Sequence, residues 1–454
     1  MSAHSSRRIL ASVAALVLLV STATAATAQD EQERIALAWV EAFNGGVDTM
    51  AVFRASHAGE PDRDGWRDQF GTLRDNWGEL QVQGVMIDQM NEVILGLGSE
   101  NEDRFRLVFV FDDANKLVGL RRGEGGDNPV PALELPDDAD DRVEHIDAYL
   151  SQLAADGVLS GSVLLAHDGE VWFERAYGLA SREFNVPNNT DTRFDVGSFN
   201  KDYTRLAIMQ LLQGDQLALT DRVGEYLPDY PNDRVRNEVT IEQLLDHTSG
   251  LGDYFTQEYL DTPMGSLWEI DDYIPIWGPM SLEYEPGTRT QYSNFGYTVL
   301  GAIVESITGV SYPEYVVENV FKPAGMNATG FFSTDGIEPN VAVGYTTMDR
   351  TGRPGDRVRK NIYHEPVIGG PWGKSYSTAR DLFRFFEALF AGELISDDLN
   401  WLPGGWNAGM GLAGGGPGLS AILLVEDGVA VIVLANQDEP GAENIARRLL
   451  EALS

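Results

Sequence analysis

Cysteine is absent from all 454 residues, and lysine occurs only at Lys116, Lys201, Lys322, Lys360 and Lys374. The first absence excludes disulfides and thiolate metal ligands, so packed core must hold the fold together. Of the six histidines, His4 lies in an apolar leader and the other five show no metal-ligand spacing, so no metal and no other cofactor is expected. Cationic side chains number 33 against 70 acidic ones, a formal net charge of −37. Repulsion would oppose encounter with a nucleic acid or an anionic membrane, which removes both as partners and leaves an acidic, solubilising surface. Long apolar runs are also missing, apart from Ile9 to Val20. That run follows Arg7 and Arg8 and precedes Ala26-Thr27-Ala28, the layout of a secretory signal over residues 1–28. It is short for a membrane span, so a mature chain beginning near Gln29 is expected to be secreted or periplasmic, with no integral membrane anchor.

Apolar spacing at Ile35, Ala38, Trp39, Ala42 and Phe43 predicts helix between Asp30 and about Asn76. Leu80 to Asp88, Glu92 to Gly98, Arg104 to Phe111 and Leu117 to Arg121 then alternate as a small antiparallel sheet would. Residues 29–122 therefore read as a small α+β domain, faintly similar in pattern to the NTF2-like domains. Residues 123–140, rich in Gly, Pro and acids, read as a linker, and a second domain fills 141–454. Its ends mirror each other. Helix from Val143 to Ala155 precedes a hairpin, Gly161 to His167 and Val171 to Tyr177, turning at Asp168-Gly169. A second hairpin, Ala421 to Glu426 and Val429 to Ala435, turns at Asp427-Gly428 and precedes helix from Ala442 to Leu453. Both ends are expected to meet on one antiparallel sheet, with a helical middle inserted between its strands.

Ser198 and Lys201 form the chain's only Ser-x-x-Lys. On a helix, residues three apart share a face, so the amine can reach the serine hydroxyl and take its proton. A serine is a poor nucleophile without such a base. The motif alone fits an N-cap serine and a solvated lysine equally well. Four motifs further along the chain weigh against that blander reading: His247-Thr248-Ser249-Gly250, Tyr292-Ser293-Asn294, Pro323-Ala324-Gly325-Met326 and Ser377-Thr378-Ala379-Arg380-Asp381-Leu382.

In these ordered motifs, residues 140 to 454 closely resemble the serine β-lactamase and penicillin-binding-protein superfamily, in particular its class C and esterase-like branch. The resemblance implies an α+β fold in three α/β/α layers, a transpeptidase-like antiparallel sheet flanked by helices with a helical insertion. It implies Ser198 as nucleophile, Lys201 as its base or proton relay, Tyr292 sharing the proton traffic and Asn294 bonding a substrate amide. The same resemblance places His247 in a structural turn, and none of the serines sits in the Gly-x-Ser-x-Gly of Ser-His-Asp hydrolases. Where the family carries Lys-Thr-Gly or His-x-Gly, this chain has Leu412-Ala413-Gly414-Gly415-Gly416. Backbone amides of Ser198 and Gly415 can still form an oxyanion hole, with Gly414 and Leu412 lining the substrate strand. Leu412 removes the cation or imidazole that would pair a substrate carboxylate.

The expected function is a secreted serine hydrolase that forms a Ser198 acyl-enzyme on small-molecule or peptide esters or amides, an esterase or peptidase rather than a β-lactamase. The rival reading is a binding or scaffold protein that kept the fold, motivated by Leu412 and a short stretch between Leu382 and Leu412. Retention of Ser198, Lys201, Tyr292 and Asn294 argues against it. Between two motifs lie Tyr254, Phe255, Tyr259, Trp268, Tyr273 and Trp277, read as loop packing with a substrate-selecting lid as the alternative.

Overall fold

Two Asp-Gly turns define the sheet at the centre of the larger unit. Asp168 and Gly169 have φ of 48° and 81°, and Asp427 and Gly428 have 48° and 84°, the positive pair that a tight hairpin needs. A computed structural model describes residues 35–40, 43, 80–88, 92–99, 105–111, 117–123, 130–136, 138–351, 354–396, 399, 410–439 and 441–453. The signal expected over residues 1–28 lies outside the described residues.

The chain divides into two units, Met1–Pro129 and Val130–Ser454. In the first, residues 35–40 and 43 are helical, and Trp39 stacks on Phe43 one turn later with centroids 5.3 Å apart. Four strands follow, β1 (Leu80–Asp88), β2 (Glu92–Ser99), β3 (Phe105–Phe111) and β4 (Leu117–Gly123), each antiparallel to the next. They match the expected runs to within two residues at their ends.

In the second unit, α1 (Ala139–Ala155) leads into β5 (Gly161–His167) and β6 (Glu170–Tyr177). The insertion carries α2 (Asn200–Gln213), α3 (Ile241–Leu245), α4 (Ile270–Trp277), α5 (Asn294–Thr308) and α6 (Ala379–Phe390). The chain returns through β7 (Met410–Gly416), β8 (Leu419–Glu426) and β9 (Val429–Ala435) and closes with α7 (Gly441–Leu453). The sheet order is β7-β8-β9-β5-β6, antiparallel throughout, with Val429 opposite His167 and Ala435 opposite Gly161. Pairing of β9 with β5 is what joins the two ends of the unit.

β9 is buried along its whole length, which explains its unbroken apolar run Val-Ala-Val-Ile-Val-Leu-Ala. One of its faces, Val431 and Val433, packs with Ile146 and Leu150 of α1 and Ile445 and Leu449 of α7. The other, Ile432 and Leu434, joins a larger core with Leu206 of α2, Phe295 of α5 and Phe385 of α6. These are the three α/β/α layers. α1 begins four residues before its apolar spacing does, and the segment before it is laid on the same layer. Val130 is buried there, and Tyr149 Oη donates to the carbonyl of Pro131 at 2.8 Å.

Candidate active site

The site forms where a strand end turns abruptly into α2. Phe194–Asp195 pairs antiparallel with Tyr376–Ser377, and Val196 N–H donates to Ser375 O at 3.0 Å. Gly197 then takes a left-handed φ of 52°, which a β-carbon would strain. The chain passes through a 3-10 turn, Gly197–Phe199, directly into α2. This puts Ser198 at the helix start and Lys201 in the first turn, three residues on and on the same face.

A second helix start supplies the next two residues. Ser293 caps α5, its hydroxyl accepting the N–H of Gly296 at 2.9 Å, so Tyr292 and Asn294 flank the cap. Ser198 Oγ and Tyr292 Oη lie 2.7 Å apart. Lys201 Nζ donates to Asn294 Oδ1 at 2.7 Å, to Trp372 O at 2.5 Å and to Ser198 Oγ at 3.2 Å. An ammonium has three protons, and here each has an acceptor. A neutral amine keeps two donors. Asn294 Oδ1 and Trp372 O can only accept from it, so the lone pair that remains faces Ser198.

Electrostatics bring that neutral form within reach near pH 7. Burial pushes the Lys201 ammonium down to about 7, against the opposing pull of Asp253 and then Asp202. Burial raises Tyr292 well above the usual phenol range, partly offset by its bond to Ser198, so near neutrality it is a phenol and not a phenolate.

The strand opposite is pressed against the turn that carries Ser198. A β-carbon on Gly414 would stand 2.0 Å from Val196 O and 2.8 Å from Ser198 N. Gly415 N lies 3.2 Å from where a β-carbon on Gly197 would be. Both glycines are thus brought to Ser198, with the backbone of β7 alongside its amide. Leu412 shares the face of Gly414, by the alternation of a strand, and packs against the larger core.

His247 sits elsewhere in the network. Its φ is 57°, its Nδ1 accepts the N–H of Ser293 at 3.2 Å, and its ring lies 4.6 Å from that of Tyr292 and 5.1 Å from that of Tyr297. Burial, then Lys201 and Arg205, pushes its pKa down to about 3, so it is a neutral ring bracing the start of α5. Tyr254, Tyr259, Tyr273 and Trp277 are buried in one aromatic cluster that includes Trp372, whereas Phe255 and Trp268 are exposed.

Two participants carry no clear mark in the sequence. The Trp372 carbonyl belongs to a segment held on α2 by Asn200, whose Nδ2 donates to Gly370 O at 2.9 Å, and by Thr204, whose Oγ1 donates to Pro371 O at 2.7 Å. Only its Gly- and Pro-rich composition hints at a shaped loop. Asp253 accepts Asn294 Nδ2–H at 2.7 Å. Its one sequence signal is that it closely follows the His-Thr-Ser-Gly motif. Among the described residues no group of His, Asp or Glu could hold a metal ion, and no helix is long and apolar enough to cross a membrane.

Known proteins share this unit. The Beta-lactamase family profile matches residues 146–454. A Bacillus subtilis (strain 168) protein named as a penicillin-binding protein, PbpX, is 32% identical over 257 residues, 56% of this chain and 60% of that protein. The chain therefore spans well under two-thirds of that relative. The crystal structure of a penicillin-binding protein from Bacillus halodurans superposes with a TM-score of 0.60 at 30% identity, over 67% of this chain and 100% of that one. D-amino acid amidase from Ochrobactrum anthropi SV3, complexed with D-phenylalanine, gives 0.57 at 26% identity, over 68% of this chain and 97% of that one.

Proposed function

Because the chain belongs to the Beta-lactamase family, a superfamily of serine hydrolases, we propose that it is itself a serine hydrolase, exported after loss of residues 1–28 and acting through a Ser198 acyl-enzyme on neutral esters or amides. The observation that carries this is the arrangement of acceptors around Lys201, which leaves the neutral amine one direction for its lone pair. In the first step Ser198 Oγ bonds to the substrate carbonyl carbon while its proton passes to Lys201 Nζ. The carbonyl electron pair moves to oxygen, and the N–H groups of Ser198 and Gly415 donate hydrogen bonds to the resulting oxyanion. On collapse the C–O or C–N bond breaks. The leaving group takes a proton from the Tyr292 phenol, which recovers one from the Lys201 ammonium. Water then repeats the sequence on the ester, releasing the acid and restoring the serine.

Leu412 favours esterase or peptidase activity over β-lactamase activity, because an apolar wall leaves a substrate carboxylate desolvated and unpaired. Likeness to a D-amino acid amidase keeps small amides within the substrate class. The test is intact-mass analysis after incubation with a fluorophosphonate and, separately, with a penicillin. A single fluorophosphonate adduct mapping to Ser198 and lost in Ser198→Ala is expected, with slower or no penicillin adduct. Labelling at another serine would overturn the assignment.

A further inference from the structure

We propose that Asp253 is a positioning residue of this acyl-transfer site: its carboxylate sets the flip of the Asn294 amide, and through that amide it aims the Lys201 amine at Ser198. The inference rests on the acyl-enzyme reading of the site.

An asparagine amide has nearly the same shape either way round, so its orientation is decided by its partners. Asp253 Oδ2 accepts Asn294 Nδ2–H at 2.7 Å and Asn294 N–H at 3.3 Å, while its Oδ1 accepts Tyr254 N–H at 2.7 Å. Burial raises the Asp253 carboxyl above its usual value, and the N–H groups of Asn294 and Tyr254, with Lys201, pull it back toward the ionised form. An ionised carboxylate only accepts, so the Nδ2 end must face Asp253 and the Oδ1 end must face Lys201 Nζ, which it meets at 2.7 Å. The opposite flip would set an amide N–H against the amine, where only the lone pair otherwise aimed at Ser198 could accept it. It would also free Lys201 from one of the two acceptors that direct its lone pair. Asp253 thus determines where the base points without touching the nucleophile.

The same carboxylate carries charge toward Lys201, and a pH readout separates this from mere packing. The charged and titratable groups around Lys201 are Asp202 on its own helix, Asp253, the phenols Tyr292 and Tyr297, and His247, which is neutral above about 3. Burial lowers Lys201 and Asp253 opposes that lowering. Asp253→Asn keeps the shape and can still accept from Asn294 Nδ2, but it loses the charge and the compulsion on the flip. Its Lys201 should therefore deprotonate at lower pH.

The experiment measures the second-order rate of fluorophosphonate labelling of Ser198 and kcat/KM for a neutral aryl ester, from pH 5 to 9, in the full mature chain. For Asp253→Asn we expect the high-pH plateau to fall about 10- to 100-fold, mostly in kcat, less than the roughly 10²- to 10⁴-fold that outright loss of a general base costs, because the amine is misaimed and not removed. The acidic limb should move down by on the order of one pH unit. Asp253→Glu, which keeps the charge, should keep the limb where it is. A folded Asp253→Asn protein whose limb is unmoved, or whose plateau equals that of the wild type, would overturn the proposal. If that variant does not fold, Asp253→Ser carries the same test with the same two outcomes. Failure of the underlying reading looks different, because wild-type protein would then not label at Ser198 at all.

Discussion

Gly414 has no space for a methyl group, and Gly414→Ala tests how closely β7 supports the nucleophile. The added β-carbon would lie 2.0 Å from Val196 O, 2.8 Å from Ser198 N and 2.9 Å from Val196 C. All three are backbone atoms, so no side chain can swing aside. Carbon–oxygen contacts run at about 3.3 Å or more, so strand or turn must retreat by about 1 Å. An oxyanion donor works within roughly 2.7–3.1 Å of the developing charge, and Gly415 N–H, the next amide along, leaves that range. Loss of one such donor costs about 10²- to 10³-fold in kcat. We therefore expect Gly414→Ala to lose that much kcat/KM on a neutral aryl ester, with KM changing far less, and overpacking to cost about 1–3 kcal/mol of stability. Gly411→Ala is the control on the same strand. Its β-carbon would press only on the flexible end of Leu424, at 3.1 Å, with Leu423 O at an ordinary 4.0 Å, and activity should stay near wild type. Stopped-flow burst kinetics with thermal melts of all three proteins would decide. A folded Gly414→Ala enzyme with wild-type kcat would refute the role given to β7.

With Lys201 in its proposed role as a neutral base and burial pushing it down to about 7, acylation should rise with pH through about 7 and level off above it; a limb near the 10.5 of a solvated lysine would refute that role. Lys201→Ala should lower turnover by about 10²- to 10⁴-fold in a folded protein. His247→Gln removes the buried acceptor of Ser293 N–H and should cost about 1–3 kcal/mol in a melt while sparing chemistry; a folded variant as inactive as Ser198→Ala would make His247 the base. Leu412→His or Leu412→Lys should shift kcat/KM toward carboxylated β-lactams by about 10- to 150-fold, the worth of one charge-assisted hydrogen bond; efficient cephalosporin turnover by wild type, unchanged by either substitution, would refute the alignment of that strand.

Several features of this protein are written locally. An Asp-Gly pair between alternating apolar runs can turn only in a few ways, so the hairpins at 168–169 and 427–428 were legible from four or five neighbouring residues. Lys201 and Ser198 share a helix face by spacing alone, and the caps of α5, Ser293 and the left-handed Gly309, stand at its two ends. The layering was implied by the family resemblance, and β9, apolar on both faces, is covered on both.

Other features depended on which surfaces met. Asn294 Oδ1 and Trp372 O reach Lys201 from 93 and 171 positions away in the chain, and no periodicity records such a separation. A main-chain carbonyl such as that of Trp372 has no side-chain signature, since every residue carries one. Asp253 reads as one acid among 70 until folding brings it against a single amide. The aromatic run after it was legible as apolar but not as buried, because Tyr254 and Trp277 are hidden by one another and by Trp372. Hairpin turns, apolar helix faces and the Ser198–Lys201 spacing could be read from the chain, because each depends on a few adjacent residues. The acceptors around Lys201, and Asp253 behind Asn294, came only with the fold, because hydrogen bonds across the chain depend on packing and not on spacing.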